Sequence, residues 1–269
     1  MLKTHYKKEL LWSQSLKKGS AAKKEVTRLQ SWLMLHEMAA PGTISVIGID
    51  GDFGNATMQA VKLFQRKLKL PESGVADMRV LDALVLPLKK AFEGKAVGST
   101  LAEYVVSYAT NHLNNHPFEL TIRAQANCGP WVRSYMDGNE GQSWWWCMGF
   151  VQAVVDQAFS AMGLSFKQFM PHTYSCDSVG MNALNNGSLV RYSALRKDPS
   201  LARPGDIFLV QKSPYDWIHT GIITRADNDV FETIEGNTNR AGSPNGDRVF
   251  RRIRNFRLSK IDVVQLPEM

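Results

Sequence analysis

Four residues in the second half of the chain have types and spacing suited to nucleophilic catalysis. Cys147 stands at the predicted start of a helix, where free backbone N–H groups and the helix dipole favour the thiolate over the thiol. A thiolate attacks carbonyl carbon, and it requires a base that is itself oriented by a third group. His219 opens a predicted strand, and the next strand ends at Glu235 and Asn237. Adjacent antiparallel strands would bring Glu235 or Asn237 beside His219, which predicts a Cys-His-Glu/Asn site.

The elements around these residues predict helices packed on an antiparallel sheet. Apolar residues recur over residues 147–162 at the spacing of one helix face, and a further helix is expected over residues 101–112. After Pro204 the sequence changes to short β-branched and aromatic runs. The predicted strands are 206–210, 219–224, 230–235 and 248–256, with a hairpin turn at 227–229. Residues 101–269 therefore predict an α+β domain.

The remaining cysteines and histidines offer weaker chemistry. With 3 Cys and no Cys-x-x-Cys pair, the chain has neither a disulfide scaffold nor a zinc-finger pattern. Cys128 is expected to be a structural thiol. His172 and Cys176 could form at most half of a metal site, and the other histidines apart from His219 have no evident partner. We therefore expect no metal and no cofactor.

Charge divides the chain into two parts. Residues 1–90 hold 15 Lys+Arg and 8 Asp+Glu, a net charge of +7, whereas the remainder holds 17 of each. Residues 1–24 carry seven lysines with little hydrophobic periodicity and are expected to form a mobile basic arm. Residues 25–87 contain three predicted helices, of which the last ends before Pro87. Residues 88–100 are small and charged, which predicts a linker.

A turn inside this helical module belongs to a longer motif. Asp50 and Gly51 support a tight turn, and Thr57 can cap the helix that follows. The full pattern is Asp50-Gly51-x-Phe53-Gly54-x-x-Thr57, then Ala60-Val61-x-x-Phe64-Gln65, then Gly74-Val75. It resembles the helical peptidoglycan-binding domain found beside many cell-wall hydrolases, except for a longer loop over residues 39–49. The resemblance implies peptidoglycan as a partner, with ligand contacts at Asp50, Gly51, Phe53 and Gly54.

Four short segments of the second part surround the residues suited to catalysis. They are Trp146-Cys147-x-x-Phe150-Val151, Pro204-Gly205-Asp206-Ile207, His219-Thr220-Gly221-Ile222 and Ile234-Glu235-Gly236-Asn237-Thr238. Over roughly residues 101–266 they resemble the CHAP family of cysteine amidases and peptidases, within the NlpC/P60-like, papain-like superfamily. The resemblance implies that Cys147 is the nucleophile and His219 the general base. Glu235 would orient the imidazole, with Asn237 assisting or replacing it.

The same resemblance suggests roles for the residues before the nucleophile. The backbone N–H of Cys147 would form part of the oxyanion hole. Many family members carry Gln directly before the Cys, where this chain has Trp146, so Gln142 is the candidate for the second donor. Trp144, Trp145 and Trp146 cannot all face inward from one helix start, so at least one is expected to line the cleft and contact substrate.

Together the two parts predict a peptidoglycan hydrolase that cleaves an amide of the cell wall. The enzyme would be an N-acetylmuramoyl-L-alanine amidase or an endopeptidase of the stem or cross-bridge. Two alternatives differ in class. One is a papain-like hydrolase acting on a non-wall amide or acyl ester, and the other is a non-enzymatic wall-binding protein with a degenerate catalytic domain.

Composition also limits partners and location. The chain has no apolar stretch of about 18 residues and no nucleic-acid-binding motif, so neither membrane insertion nor nucleic acid is expected. The N-terminus lacks the apolar segment of a Sec-type signal peptide. A wall hydrolase made in the cytoplasm would then reach the wall after lysis, as a phage lysin, or through a secretion system, as an effector. An effector of that kind would have a cognate immunity protein as a partner.

Overall fold

The lysine-rich N-terminal segment is folded against the rest of the molecule in the computed structural model, which describes residues 1–241, 243 and 245–269. Tyr6–Leu10 form helix α1. The buried Lys3 side chain donates to Asp137 at 2.9 Å, and Glu9 forms a two-point ion pair with Arg133. The predicted mobile arm is therefore wrong. Its charges have partners 134 and 124 residues away in the sequence, which local patterns do not reveal.

Three further helices form the predicted helical module. They are α2 (Lys23–Ala39), α3 (Asn55–Lys67) and α4 (Met78–Glu93). Asp77 caps α4 by accepting a hydrogen bond from the backbone N–H of Val80 at 3.2 Å. The prediction of three helices in this part of the chain is confirmed.

Helix α4 continues through Pro87, where the sequence predicted its end. Proline has no N–H to donate within the helix, which weakens it at this point. The helix nevertheless continues because its turns on both sides of Pro87 bury one apolar face in the core, formed by Leu84, Leu88 and Phe92. Most of the first half of the predicted linker is therefore helical, and residues 94–100 make the connection.

The second part begins with helices and a short hairpin. Helix α5 (Leu101–Asn114) starts at a capping box formed by Thr100 and Glu103. The next elements are β1 (Leu120–Ile122), β2 (Gln125–Cys128), α6 (Pro130–Tyr135), α7 (Cys147–Ala161) and α8 (Cys176–Asn185). Helix α7 is buried along almost its whole length and is the central helix of this part.

A six-stranded antiparallel sheet supports α7. Its strands are β3 (Leu189–Val190), β4 (Ile207–Ser213), β5 (Asp216–Asp227), β6 (Val230–Thr238), β7 (Arg248–Asn255) and β8 (Ile261–Val264), with helix α9 (Tyr192–Leu195) after β3. The order across the sheet is β3-β8-β4-β5-β6-β7. The four predicted strands and the turn after Asp227 are confirmed, whereas the short β3 and β8 were not predicted.

An apolar core joins the helical module to the second part. Tyr6 stacks on Phe92 with ring centroids 4.5 Å apart, and Trp32 of α2 meets Trp131 of α6 at 6.3 Å. The buried side chains of the module and those of α7 belong to the same cluster. The predicted α+β layout is confirmed. In the part of the chain that the structure describes, no helix is both long and apolar enough to span a membrane.

Candidate active site

Cys147 occupies the first turn of α7 with its side chain almost fully buried. Backbone N–H groups in a first helical turn lack partners within the helix. The neighbouring Cys176 thiol, followed by His219 and the backbone N–H of Met148, lowers the pKa of Cys147 well below its usual value. These interactions outweigh burial, which opposes ionisation. The arrangement therefore favours the thiolate, the nucleophilic form.

His219 on β5 and Glu235 on β6 form a buried pair beside this sulfur. His219 Nε2 lies 2.9 Å from Glu235 Oε2. Because a carboxylate only accepts hydrogen bonds, Nε2 carries the hydrogen and Nδ1 is left to exchange a proton with Cys147. Among the described residues Nδ1 has no hydrogen-bond partner, which leaves it free for this exchange. Burial lowers the pKa of His219, but the contacts with Cys147 and Glu235 outweigh it and raise the pKa to about 9.

The carboxylate of Glu235 accepts several hydrogen bonds although it is fully buried. Arg254 donates to both of its oxygens at 2.6 Å, and Thr233 donates its hydroxyl to Oε1 at 2.6 Å. Burial would raise the pKa of Glu235, but the bonds from Arg254 and His219 lower it to about 2. Glu235 is therefore ionised at neutral pH and able to stabilise an imidazolium.

Of the two predicted third members, Glu235 contacts His219 and Asn237 does not. Gly221 on β5 leaves the space that the glutamate occupies, since a Cβ there would lie 2.8 Å from Glu235 Cγ. Asn237 has a φ of +53° and donates its amide to the backbone carbonyl of Gly246 at 2.8 Å. Asn237 therefore fixes the turn after β6.

A second thiol lies beside the nucleophile. Cys176 is the first residue of α8, which the Ser175 side chain caps. The segment before α8 is held on α7 by Gln152, whose amide donates to the carbonyl of Pro171 at 2.7 Å. The neighbouring Cys147, together with burial, raises the pKa of Cys176 well above its usual value. Cys176 therefore keeps its proton beside the sulfur of Cys147, a role that the sequence did not predict.

Trp146, which precedes the nucleophile, belongs to the core. It is fully buried, stacks on Tyr135 with ring centroids 5.5 Å apart, and donates its indole N–H to Glu119 at 2.8 Å. Glu119 also accepts from the backbone N–H of Asn127 at 3.2 Å and from the Asn237 amide at 3.3 Å. Of the three tryptophans that were candidates for substrate contact, Trp146 is therefore excluded, because buried contacts surround its ring and anchor the entry to α7.

The other residues predicted to meet substrate lie nearer the surface. Trp145 is 52% exposed, and Trp144 is half-buried. Gln142 is exposed, and its side-chain oxygen accepts from the backbone N–H of Ala126 at 3.3 Å. Trp144 and Trp145 thus retain surface for a ligand, whereas Gln142 is engaged with β2 rather than with Cys147.

His112 has buried partners, contrary to the sequence analysis. Its Nδ1 lies 2.9 Å from the Tyr135 hydroxyl and its Nε2 lies 2.7 Å from Gln157 Oε1. The Gln157 amide in turn donates to the carbonyls of Ala91 and Phe92. Burial lowers the pKa of His112 to about 4. This neutral histidine therefore links α5, α6 and α7 to the end of α4.

His172 and Cys176 do not form a half-site for a metal. His172 Nε2 lies 2.8 Å from Asp137 Oδ2, whereas Cys176 contacts Cys147. Cys128 is buried, with its thiol 3.5 Å from the carbonyl of Ala126. Within residues 1–241, 243 and 245–269, no group of three or more His, Cys, Asp and Glu side chains is arranged to hold a metal ion.

The motif of the helical module serves mainly to hold a turn. The buried Gln30 accepts from the backbone N–H groups of Asp50 and Gly51 at 3.1 and 2.8 Å, and its amide donates to Asp50 Oδ1 at 2.8 Å. Gly51 has a φ of +80°, which favours glycine. Phe53 is 1% exposed and lies in the core, so its predicted ligand contact is wrong. Asp50 is exposed and Gly54 is half-buried, which leaves both with accessible surface.

Comparison with known proteins identifies this module. Residues 23–84 match the family model described as "Putative peptidoglycan binding domain", which spans α2, α3 and the first part of α4. No curated protein and no solved structure matches the chain. The family match supports association with the cell wall and peptidoglycan as the ligand of the helical module.

Proposed function

We propose that this protein is a peptidoglycan hydrolase that cleaves an amide bond of the wall through Cys147. The observation that carries the proposal is the buried contact chain from Cys147 to His219 to Glu235, in the same chain as a module that matches a peptidoglycan-binding family. Bringing the catalytic residues to the wall on such a module raises their effective concentration at the substrate.

The reaction begins with the thiolate and imidazolium already formed. The sulfur of Cys147 attacks the carbonyl carbon of the amide, and the carbonyl oxygen becomes an oxyanion beside the backbone N–H of Cys147. His219 then gives its proton to the leaving nitrogen, the carbon–nitrogen bond breaks, and the acyl group remains on sulfur as a thioester. Water attacks the thioester as His219 removes its proton, which releases a carboxylic acid and restores the thiolate.

Glu235 and Cys176 support this cycle without forming bonds to substrate. The Glu235 carboxylate holds Nε2–H of His219, so that Nδ1 is the nitrogen that transfers the proton. The neighbouring Cys176 thiol lowers the pKa of Cys147 and so stabilises the thiolate before attack. The sequence resemblance to papain-like, CHAP-type enzymes implies a helix-borne cysteine and a strand-borne histidine in these roles, and this supports the proposal. In that setting the protein acts on the wall as a lysin or as an exported effector, and an effector would be neutralised by an immunity protein.

The proposal is tested by clearing of purified peptidoglycan sacculi, followed as loss of turbidity under reducing conditions. Wild type should clear the suspension, and Cys147→Ala should not. Cys128→Ala, which removes another buried thiol away from the site, should behave as wild type. All three proteins should sediment with the sacculi, because the helical module is unchanged.

Three results would contradict the proposal. Clearing by Cys147→Ala at the wild-type rate would exclude the cysteine mechanism. Failure of the wild type to clear any sacculi, with all proteins still sedimenting, would favour a wall-binding protein. Cleavage by the wild type of a fluorogenic peptide amide or acyl ester, but not of sacculi, would instead favour a papain-like hydrolase of another substrate.

A further inference from the structure

Arg254 is buried against the site, although neither the motifs nor the mechanism above uses it. It lies on β7, where its backbone pairs with Phe231 of β6. Its side chain is 14% exposed, and its guanidinium lies 4.7 Å from the centre of the Phe208 ring. From there Nε and Nη2 donate to the two oxygens of Glu235, each at 2.6 Å. This is the two-point geometry in which arginine binds a carboxylate most strongly.

The other arginines near the C-terminus make contacts of a different kind. Arg251 pairs with Glu232 while 44% exposed, Arg248 pairs with its neighbour Asp247, and Arg257 pairs with Asp229 while 63% exposed. Exposed pairs of this type contribute little, since water screens them. Compared with Arg248, Arg251 and Arg257, Arg254 is the arginine whose pair is buried and joins the site at two points.

The ion pair with Arg254 offsets the free-energy cost of keeping Glu235 ionised in a buried position. A fully buried carboxylate is costly to ionise unless charge and hydrogen bonds compensate it. The charged groups acting on Glu235 are Arg254 from β7 and His219 from β5, and His219 in turn faces Cys147 from α7. Without Arg254, the proton of the imidazolium would have to compensate the buried anion alone.

We propose that Arg254 is a positioning residue of the site, holding Glu235 ionised and oriented so that Glu235 fixes the tautomer and orientation of His219. The proposal rests on the function proposed for Cys147, and it adds a fourth member to the chain of contacts. Arg254 acts through Glu235 and does not touch the reacting atoms. Its charge maintains the Glu235 anion, the anion stabilises the imidazolium, and the imidazolium stabilises the thiolate.

The test compares Arg254→Met with Arg254→Lys and with Arg251→Met, the control that removes an exposed arginine from the same strand. The first measurement is the rate at which iodoacetamide alkylates Cys147 across pH, read on the peptide that contains Cys147. This rate reports the fraction of Cys147 that is present as thiolate, and it does not require the natural substrate. The second is hydrolysis of sacculi with kcat separated from KM, and thermal unfolding is recorded for each variant.

Arg254→Met is expected to move the acid limb of the alkylation profile to higher pH, because a protonated Glu235 no longer stabilises the imidazolium. Hydrolysis should lose roughly 10-fold or more in kcat with KM little changed, the scale seen when the partner that orients a functional side chain is removed. Arg254→Lys keeps the charge and should restore the alkylation profile in large part, while the lost two-point geometry keeps kcat below wild type. Arg251→Met should match wild type in both measurements.

An unchanged alkylation profile in Arg254→Met, or the same shift in Arg251→Met, would overturn the proposal. A purely structural arginine would lower the unfolding temperature without moving the profile of the folded protein. If Arg254→Met does not fold, Arg254→Gln keeps hydrogen-bond donors without the charge and gives the same test. A shifted profile in a protein whose wild type does not clear sacculi would uphold Arg254 and reject only the proposed substrate.

Discussion

The helical module and the second part differ in how their sequence motifs relate to their structures. The module matches a family model, yet the most specific residues of its motif hold a turn through Gln30 or lie in the core, as Phe53 does. In the second part the resemblance rests on four short segments, yet three of the predicted residues, Cys147, His219 and Glu235, meet in one buried site. The difference shows that a motif can preserve a fold, whereas a reaction requires side chains to converge.

Net charge also differs between the two parts of the chain. The first 90 residues carry the whole net charge of +7 and the remainder is neutral. Basic surface attracts anionic polymers at long range, which suits attachment to a wall. In the second part, by contrast, charges such as Arg254 and Glu235 are paired inside the site. The two parts nevertheless share an apolar core, so variants of the full chain test them better than truncations do.

The largest effect is expected from His219→Ala, which should abolish most hydrolysis by the second part without affecting wall binding by the helical module. Removing the base should lower hydrolysis roughly 10²- to 10⁴-fold, the contribution typical of general acid–base catalysis. Sedimentation with sacculi should be unchanged. His116→Asn is the control, since His116 is exposed with a φ of +52°, a conformation that asparagine tolerates. Near-wild-type hydrolysis by His219→Ala would mean that another group is the base.

The next prediction distinguishes Glu235 from Asn237, which the sequence left as alternatives for the third member of the site. Glu235→Gln removes the charge that faces His219 and should lower kcat by roughly 10- to 100-fold. Asn237→Gly keeps the positive φ but loses the bond to Gly246, so it should lower the unfolding temperature while kcat of the folded protein stays near wild type. A loss of kcat in Asn237→Gly equal to that in Glu235→Gln would contradict this assignment.

The pH dependence should report the ion pair at the site. The pKa of His219 is raised from 6.5 to about 9, so the imidazolium that protonates the leaving group is lost as pH rises through that value. Hydrolysis should then fall about 10-fold per pH unit. By linkage, the stability gained from this group is fully present below pH 6.5 and is lost as pH rises through about 9.

Cys147→Ala provides the control for that measurement. It removes the sulfur that helps to raise the pKa of His219, so its stability should begin to fall at lower pH than that of wild type. Identical stability profiles for the two proteins would contradict the contact between Cys147 and His219.

In the helical module, Gly51→Ala should lower the stability of the fold and leave ligand binding by the folded protein intact. The substitution forces alanine to a φ of +80° and places its Cβ 2.9 Å from Thr27 Oγ1 and 3.1 Å from the carbonyl of Lys23. Gly19→Ala has the same backbone cost, about 1–2 kcal/mol, at a φ of +81° but meets nothing within 4 Å. Gly51→Ala should therefore lower the unfolding temperature more than Gly19→Ala does. Equal unfolding temperatures would show that the packing at Gly51 is not tight.

At Cys176 a shift along the pH axis is expected rather than a loss of rate. Cys176→Ala removes the neighbour that contributes most to lowering the pKa of Cys147, so alkylation of Cys147 should require higher pH. Cys176→Ser keeps a donor and should shift the profile less, while Cys128→Ala should leave it unchanged. The same profile in all four proteins would show that the second thiol does not act on the nucleophile.

Much of the fold and the centre of the site follow from local patterns. The apolar periodicity after Cys147 and the short β-branched runs predicted α7 and four strands, and adjacent strands brought Glu235 and Asn237 within reach of His219. Local patterns do not decide whether Glu235 or Asn237 accepts the hydrogen bond from His219. It depends on the space that Gly221 leaves opposite Glu235.

The residues that sequence reasoning missed reach the site from elements whose packing has no local signal. Arg254 comes from the outermost strand β7, Cys176 from the start of α8, and Glu119 from the residue before β1. The N-terminal segment was misjudged for the same reason. A run of lysines usually remains in water, but Lys3 is buried and pairs with Asp137.

The central claim is that Cys147 cleaves an amide of peptidoglycan, and mass spectrometry of the fragments released from purified peptidoglycan tests it most directly. Wild type and Cys147→Ala would be incubated side by side under reducing conditions. We predict soluble muropeptides or free stem peptides from the wild type alone, with masses that identify the amide cut. Identical fragments from both proteins, or none from either while both sediment with the wall, would contradict the claim.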